Sequence, residues 1–256
     1  MAMTAVVTAA VGTIAVTLDR DPERPIPQRG SRGDSVGPSA ARRPHTVHVT
    51  RLLGRSLQRR AIRVTETGLP GRRAILVVGC IHGNEPAGIA VARDLITDPA
   101  PTRVLLWVVP SLNPDGVVAG TRQNAHGVDL NRNFPWRWRD IGRPGDLYYS
   151  GSHALSEPES QMARRLIARQ RPYVSIWFHQ QEDVVDQSGG AIEIERRYAF
   201  LTHMRLTRLP RYPGSAAGWQ DHAFPRTTAF VVELPTGSLS PHGVERFSDA
   251  ILRLLG

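Results

Sequence analysis

Short apolar runs, interrupted by polar turns, recur along most of this chain. Several are continuous, as in "AILVV" at 74–78, which is typical of parallel strands buried on both faces. The pattern predicts seven strands, at residues 46–53, 61–66, 74–79, 103–110, 173–179, 191–195 and 228–234.

Longer segments with helical spacing separate some of these strands, at 85–96, 157–170 and 241–255. The second helix should begin with a capping box formed by Ser156 and Glu159. The third should be capped by Ser240, with Pro241 in its first turn. Alternation of buried strands with helices predicts an α/β fold: a mixed, largely parallel central sheet flanked by helices.

Residues 1–44 have a different composition from the rest of the chain. The first charged residue is Asp19, so the start resembles the apolar part of a signal peptide or a weak membrane anchor, although no basic residues precede it. The stretch from 19 to 44 is rich in Pro, Gly, Ser and Arg, which is typical of a disordered linker. We therefore expect one folded domain at 45–256, exported or associated with the cell envelope, with a cytoplasmic location as the alternative.

The formal charge of +9 first suggests nucleic acid as a partner. However, all 32 basic residues are arginine, they are scattered along the chain, and no pattern of interleaved aromatic residues accompanies them. We therefore predict no nucleic-acid role. A basic surface would instead favour anionic partners such as cell-wall polymers.

The stretch "GCIHGNEPAG" places His82 and Glu85 three residues apart in a glycine-rich bend directly after a predicted strand. Ligands of open α/β sheets bind at the carboxyl ends of strands, so the pair could hold a metal ion there. Alone, the pair has a simpler explanation, because a glutamate in the first turn of a helix complements the helix dipole. The single cysteine, Cys80, excludes an internal disulfide and is most simply a small buried residue.

Further polar residues follow other predicted strands. His179 ends the strand of "YVSIWFHQ", and Glu233 lies inside the apolar run "FVVELP", where a carboxylate is costly to bury unless it is paired or used. Between them and the first turn lie "SLNPDG", "TRQNAHGVDLNRNFP" and "LYYSGSHALSEPES", at 111–116, 121–135 and 147–160. Because several such motifs occur in one chain, we interpret His82 and Glu85 as part of a functional site rather than as a chance pair in a loop.

This set of motifs, spread over residues 79–235, resembles the M14 zinc carboxypeptidase family. The resemblance implies one Zn²⁺ per chain, held by His82, Glu85 and His179, a ligand set known from carboxypeptidase A. Three such ligands leave an open position where water is acidified and a carbonyl is polarised. The resemblance therefore implies a hydrolase that cuts peptides.

The same resemblance assigns a role to each remaining motif position. Glu233 matches the catalytic base, and Arg122 matches the arginine that stabilises the oxyanion. Asn131 and Arg132 match the pair that grips a substrate carboxylate. Asp129 matches the aspartate that orients the first zinc histidine.

The region between His179 and Glu233 is short and is similar to the bacterial murein peptide amidase branch of the family. That branch cuts the γ-D-glutamyl–diaminopimelate bond of cell-wall peptides, so a murein peptide is the expected substrate. Tyr212 lies where the mobile active-site tyrosine of the family is expected. Polar residues of this region could receive the zwitterionic side chain of diaminopimelate: Gln180, Gln181, Asp183, Asp186 and Asp221.

Three alternatives remain open from the sequence. The first is an ordinary C-terminal carboxypeptidase. The second is an N-acyl amino acid deacylase of the succinylglutamate desuccinylase or aspartoacylase type, which shares an "HGNE" turn and a "DLNR" segment. The third is a binding module without activity, which would be expected to have lost a metal ligand or the base, whereas all of these residues are present.

Overall fold

A computed structural model of the chain describes residues 45–97, 100–101 and 103–255. The described residues belong to one compact unit, Arg43–Gly256. The predicted apolar segment and linker at 1–44 lie outside the described residues. Within the described ranges, no helix is both long enough and apolar enough to cross a membrane.

A mixed sheet of eight strands forms the centre of the described part. In chain order the strands are β1 Val47–Arg55, β2 Ala61–Gly68, β3 Ala74–Val78, β4 Leu105–Val109, β5 Val174–Gln180, β6 Val184–Asp186, β7 Arg205–Thr207 and β8 Thr228–Leu234. Their order across the sheet is β1-β2-β4-β3-β5-β8-β6-β7. The inner strands β4, β3, β5 and β8 run parallel, β2 and β6 join them antiparallel, and β7 lies parallel to β6.

Helices cover both faces of this sheet. The helices are α1 Ala87–Thr97, α2 Pro114–Ala119, α3 Pro158–Gln170, α4 Ile192–Thr202, α5 Ala216–Ala223 and α6 Pro241–Arg253, with a 3₁₀ turn at Leu130–Arg132. On one face the apolar side chains of β3, β5 and β8 pack against α1, α4 and α6, and on the other against α3, α5 and the segment around Phe134. The predicted fold class is confirmed.

Strands β3 and β5 are buried on both faces of the sheet, which explains why their sequences form continuous apolar runs. Along β5, every residue from Val174 to His179 is buried. Strands β3, β5 and β8 are neighbours, and parallel strands end at the same edge of a sheet. The residues that follow β3 and those that end β5 and β8 therefore meet at one place, and these are the segments that contain His82, His179 and Glu233.

The prediction of a strand at 191–195 is wrong, because these residues open helix α4. The alternation Ile-Glu-Ile-Glu favoured a strand within a five-residue window. Over the whole segment, however, the buried residues are Glu195, Tyr198, Ala199 and Thr202, which is helical spacing. Glu195 faces inward and accepts a hydrogen bond from the backbone N–H of Ser188 (3.0 Å).

The capping box predicted for α3 is also wrong. Ser156 donates to the Glu157 side chain (2.7 Å), and Glu159 accepts from the backbone N–H of Leu57 (3.1 Å). Glu159 is fully buried, so its carboxylate ties α3 to the turn after β1 rather than to its own first turn. The predicted Ser240 cap of α6 is present, and accepts from the backbone N–H of Gly243 (3.1 Å).

Four short elements were not predicted: α2, α5, β6 and β7. Helices α2 and α5 have six and eight residues, about two turns or fewer, and strands β6 and β7 have three residues each, so too few positions were available to establish a helical or a strand period. Helix α5 carries one recognisable signal, since Ser215 caps it by accepting from the backbone N–H of Gly218.

Candidate active site and metal centre

The first part of the site is the turn after β3. The Glu85 backbone N–H donates to the His82 carbonyl (3.0 Å), which closes the turn, and α1 begins two residues later. A side chain at Gly83 would place its Cβ 1.9 Å from the backbone carbon of Gly116, at the start of α2. The glycine is therefore required by close backbone contact, and this contact fixes the positions of His82 and Glu85.

His82, Glu85 and His179 bring their ligand atoms to a common point. His82 Nδ1 lies 2.9 Å from Glu85 Oε2, His179 Nδ1 lies 2.8 Å from the same oxygen, and the two nitrogens are 3.0 Å apart. All three residues are buried. Ligand atoms of a tetrahedral zinc ion, with bonds of about 2.0–2.1 Å, lie about 3.3 Å apart. The donor set and its spacing therefore fit zinc.

The other ring nitrogen of His82 is held by a buried carboxylate. His82 Nε2 lies 2.9 Å from Asp129 Oδ1, and Asp129 is fully buried. A hydrogen on Nε2 that is donated to Asp129 leaves the Nδ1 lone pair free to face a metal, as expected for a histidine ligand. Burial opposes ionisation of Asp129, but the interaction with His82 and the charge of Arg122 outweigh it and hold the pKa of Asp129 well below its usual range.

Arg122 connects two of these groups. Its Nε donates to Asp129 Oδ2 and its Nη1 to Glu85 Oε1, both at 2.9 Å. The guanidinium also lies above the ring of Tyr148, 5.5 Å from its centroid. These contacts fix the planar guanidinium at the edge of the metal-binding cluster, with its Nη2 group outside the two ion pairs.

Glu233 lies across from His179, as its register partner on the neighbouring strand β8. It lines a cavity of about 250 Å³ that opens beside the three candidate metal ligands. Burial, followed by the negative charges of Glu85 and Glu182, raises the pKa of Glu233 to about 7. A carboxyl with such a pKa can both accept and return a proton near neutral pH.

The near wall of this cavity contains Asn131 and Arg132. Arg132 is buried, and its Nη1 donates to the Asn131 carbonyl (2.9 Å). Its guanidinium lies 4.1 Å from the ring centroid of Tyr212 and 5.3 Å from that of Tyr148. Asn131 Oδ1 accepts from the backbone N–H of Ala216 (2.9 Å), so this side chain also fixes the start of α5.

The five polar residues proposed for the side-chain pocket divide into two groups. Asp186 lines the cavity, and Asp221 lines an adjoining one behind Tyr212. Gln180 touches the cavity, but its amide is engaged by the backbone of Ala87, Pro235 and Gly237. Three of the five do not line the active-site cavity, which corrects the sequence-based hypothesis: Asp221, and the exposed residues Gln181 and Asp183.

Some lining residues were missed by the sequence analysis, namely Tyr148, Glu182, Ser188 and Arg211. Tyr148 lies within "LYYSGSHALSEPES", so the motif itself could have suggested it. Arg211 directly precedes Tyr212 in a loop, and no pattern distinguishes it from the other arginines. Cys80 is buried as expected, and burial raises the pKa of its thiol to about 12, which excludes a thiolate nucleophile.

Comparisons with known proteins show which family the chain resembles. The sequence model of the family described as zinc carboxypeptidase matches residues 38–193. The chain is 34% identical over 119 residues to murein peptide amidase A of Escherichia coli K12, a match that covers 42% of this chain and 49% of that protein. It is 29% identical over 193 residues to the protein of the same name from Vibrio campbellii, covering 70% of this chain and 76% of the relative.

Solved structures show the same similarity. The murein-tripeptide amidase MpaA of Escherichia coli O157 superimposes with a TM-score of 0.63 at 27% identity, covering 80% of this chain and 91% of that chain. Carboxypeptidase A from Helicoverpa armigera has a TM-score of 0.68 at 20% identity, covering 80% and 67%. The second likeness concerns the fold alone.

Proposed function

Because the chain belongs to the zinc carboxypeptidase family, and is therefore a zinc-using hydrolase, we propose that it removes a terminal residue from cell-wall peptides. The bond would be an amide such as that between γ-D-glutamate and diaminopimelate. Support for this substrate comes from the similarity to murein peptide amidases over most of the Vibrio campbellii relative. The match to the Escherichia coli relative spans about half of that protein.

The observation that carries the proposal is the buried Arg132 in the wall of the cavity. Its one hydrogen bond within the described residues, to the Asn131 carbonyl, leaves most of its five N–H donors without a partner. A planar guanidinium with free donors is suited to a carboxylate. A substrate whose leaving unit ends in a carboxylate would place that group on Arg132 and its scissile carbonyl beside the three metal ligands.

The candidate metal ligands and Glu233 would perform the hydrolysis. His82, Glu85 and His179 would hold a zinc ion, which would supply a Lewis acid for the scissile carbonyl and for the attacking water. Glu233, facing the same space, takes the proton from the attacking water and returns it to the leaving nitrogen. Its burial next to other carboxylates favours the protonated form that the second step requires.

Arg122 would stabilise the charge that develops on the carbonyl oxygen. Its two ion pairs hold the guanidinium in place before substrate arrives, so little reorganisation is needed during the reaction. Tyr212 is half exposed at the cavity and lies on the guanidinium of Arg132. It would cover the bound carboxylate rather than take part in the proton transfers.

The test is a comparison of substrates with purified zinc-loaded protein. L-Ala-γ-D-Glu-diaminopimelate should be hydrolysed with release of diaminopimelate, faster than peptides ending in apolar, basic or acidic L-residues and faster than N-acyl amino acids. A clear preference for an ordinary peptide would assign an ordinary carboxypeptidase, and a preference for an N-acyl amino acid would assign a deacylase. Mass spectrometry of the products distinguishes the three.

The proposal includes a location at the cell envelope, where such peptides are present. The formal charge of +9 would favour contact with anionic wall polymers. Fractionation of cells that produce the intact protein tests this part separately. Recovery from the cytosol alone would reject it and would leave the enzymatic proposal in place.

A further inference from the structure

The far end of the active-site cavity contains an ion pair without an assigned role. Asp186, the last residue of β6, is buried, and its Oδ2 lies 2.6 Å from Arg211 Nη1. The side chain of Arg211 is 37% exposed. Both residues line the cavity that also contains Arg132 and Glu233. Arg211 is thus the third arginine that lines the cavity, beside Arg122 and Arg132, and the proposed reaction does not use it.

The hydrogen bonds of Asp186 show that it serves to position Arg211. Its Oδ1 accepts from the backbone N–H of Leu209 (2.9 Å), and its Oδ2 accepts from Ser188 Oγ (2.8 Å) as well as from Arg211. Three of the roughly four acceptor sites of the carboxylate are therefore occupied, and an ammonium group of a substrate would have to compete with three existing donors. The same contacts fix the loop that precedes Tyr212.

Arg211, in contrast, has donors to spare. Besides its bond to Asp186, its Nη2 donates to the carbonyl of Gln187. A guanidinium carries five N–H groups, so Nε–H and one N–H on each terminal nitrogen remain. Restraint by Asp186 lowers the entropy cost of forming new bonds with these donors.

Other acidic groups near Arg211 do little to neutralise it. Burial raises the pKa of Glu195, and raises that of Asp221 to about 7, so both acids favour the uncharged form more than an exposed carboxyl does. Asp186 is the one carboxylate within ion-pair distance of Arg211 among the described residues. Glu182 also lines the cavity and has no hydrogen bond or ion pair with another described residue, so it can attract an ammonium group.

We propose that Arg211, positioned by Asp186, binds a second carboxylate at the end of the leaving residue's side chain. This inference rests on the proposed function, in which Arg132 binds the first carboxylate. The enzyme would then select a leaving residue that carries a carboxylate at both ends. Diaminopimelate has this property, and it differs from lysine only by the carboxylate on its terminal carbon, with the ammonium group common to both.

That difference provides a matched pair of substrates. We would measure kcat and KM for L-Ala-γ-D-Glu-diaminopimelate and L-Ala-γ-D-Glu-L-Lys with wild-type protein and Arg211→Ala. Wild type should prefer the diaminopimelate peptide in kcat/KM by roughly tenfold or more, the effect of one charge-assisted hydrogen bond. Arg211→Ala should bring the ratio to about one, mainly through a higher KM for the diaminopimelate peptide, with a much smaller loss for the lysine peptide.

Two controls keep the result interpretable. Arg208→Ala removes an exposed arginine of the same loop that does not line the cavity, and should keep the wild-type ratio. If Arg211→Ala unfolds because Asp186 is left without its partner, the double variant Asp186→Asn/Arg211→Ala removes both charges and should give the same ratio of about one.

The outcomes separate the two claims. Wild type that prefers the diaminopimelate peptide, with the preference kept in the Arg211 variants, would overturn the role of Arg211 and leave the proposed function standing. Equal slowing of both peptides would also overturn it, since that indicates structural damage. Wild type that cuts neither tripeptide but trims ordinary peptides would overturn the proposed function and this inference with it.

Discussion

At the scale of single residues, the site contains a chain of hydrogen bonds that starts at His82, a candidate metal ligand, and ends at the guanidinium of Arg122. Asp129 lies between His82 and Arg122, and binds each at 2.9 Å. Removing its charge should leave the His82 ring less firmly oriented and less basic. We therefore expect the metal affinity of the site to depend on a residue that does not touch the metal.

The corresponding variant is Asp129→Asn, which keeps an oxygen able to accept from His82 or from the Asn131 backbone N–H. We expect zinc affinity to fall by roughly 10- to 100-fold, as measured by competition with a chelating dye. Asp140→Asn, an exposed neutralisation of the same type, should have no effect. Unchanged affinity in Asp129→Asn would show that its charge is not needed for metal binding.

A second prediction for a single residue distinguishes loss of the chemical step from loss of zinc or substrate binding. Glu233→Gln should retain zinc and substrate affinity but lose nearly all turnover, because an amide cannot accept the proton of the attacking water. Zinc content by atomic absorption and substrate binding by calorimetry serve as the controls. A variant with near-normal kcat would place the base elsewhere.

The sequence allowed the convergence of His82, Glu85, His179 and Glu233 to be predicted, because each lies at or just after the end of a recognisable apolar strand. The hydrogen bonds that join the site to distant parts of the backbone could not be predicted in the same way. That Asn131 Oδ1 holds the backbone of Ala216, 85 residues later, depends on how α5 packs against the 3₁₀ turn. No local pattern encodes such a contact.

At the scale of elements, close backbone approach positions the metal-binding turn. Gly83→Ala would place a methyl group against the backbone of Gly116, which cannot move as a side chain could. We expect a loss of roughly 1–3 kcal/mol in the free energy of unfolding, with weaker zinc binding. Gly243→Ala, at a helical position whose new Cβ meets nothing closer than 3.4 Å, should be neutral or slightly stabilising. Equal stability of the two variants in urea would contradict this account.

The junction of α5 and β8 should make stability depend on pH. Asp221 accepts from the Ala229 backbone N–H (2.8 Å), and its Oδ2 is buried without a hydrogen-bond partner among the described residues. Burial raises the pKa of Asp221 to about 7. Between about pH 4 and pH 7 the unfolded chain releases this proton while the folded protein keeps it. The contribution of Asp221 to folding stability therefore becomes less favourable as the pH rises through this window.

Asp221→Asn removes this titration and keeps an acceptor for Ala229. The variant should be more stable than wild type by about 1–3 kcal/mol at pH 8 and about equal to it at pH 4, by urea unfolding at both pH values. Asp249→Asn, on the exposed face of α6, is the matched control and should show no pH-dependent difference. A stability gain that is the same at pH 4 and pH 8 would have to come from packing.

A helix or strand could be predicted where its spacing of apolar residues continued over enough positions. Helices α1, α3 and α6 and the long strands satisfied this condition, and their observed bounds lie within three residues of the prediction. Residues 191–195 failed because five alternating positions fit a strand as well as the first turn of an amphipathic helix. The length of the window, rather than the chemistry of the residues, limited the prediction.

At the scale of the whole molecule, the site is formed where three parallel strands end side by side. The candidate metal ligands come from β5 and from the turn after β3, and the proposed base comes from β8. The walls of the cavity come from the segments between β4 and α3 and between β6 and β8. Such a site is supported by the packed sheet and helices rather than by the metal. This arrangement predicts how the protein responds when zinc is removed.

Zinc-free protein should remain folded and lose activity. The large cores on both faces of the sheet do not include the metal ligands, and His82, Glu85 and His179 retain hydrogen bonds to one another and to Asp129. Zinc adds stability only by binding the folded state, about 2.7 kcal/mol at a free concentration 100 times its Kd. For a domain of this size that corresponds to a rise of roughly 5–10 °C in Tm.

The experiment is calorimetry of chelator-treated protein at a series of buffered zinc concentrations, with far-UV circular dichroism before heating. A cooperative transition without zinc, and a Tm that rises with the logarithm of free zinc, are the expected results. His179→Ala should unfold cooperatively but show little dependence on zinc, since it lacks one of the three ligands. A zinc-free protein without a cooperative transition would instead mean that the metal organises the fold, as in small structural zinc domains.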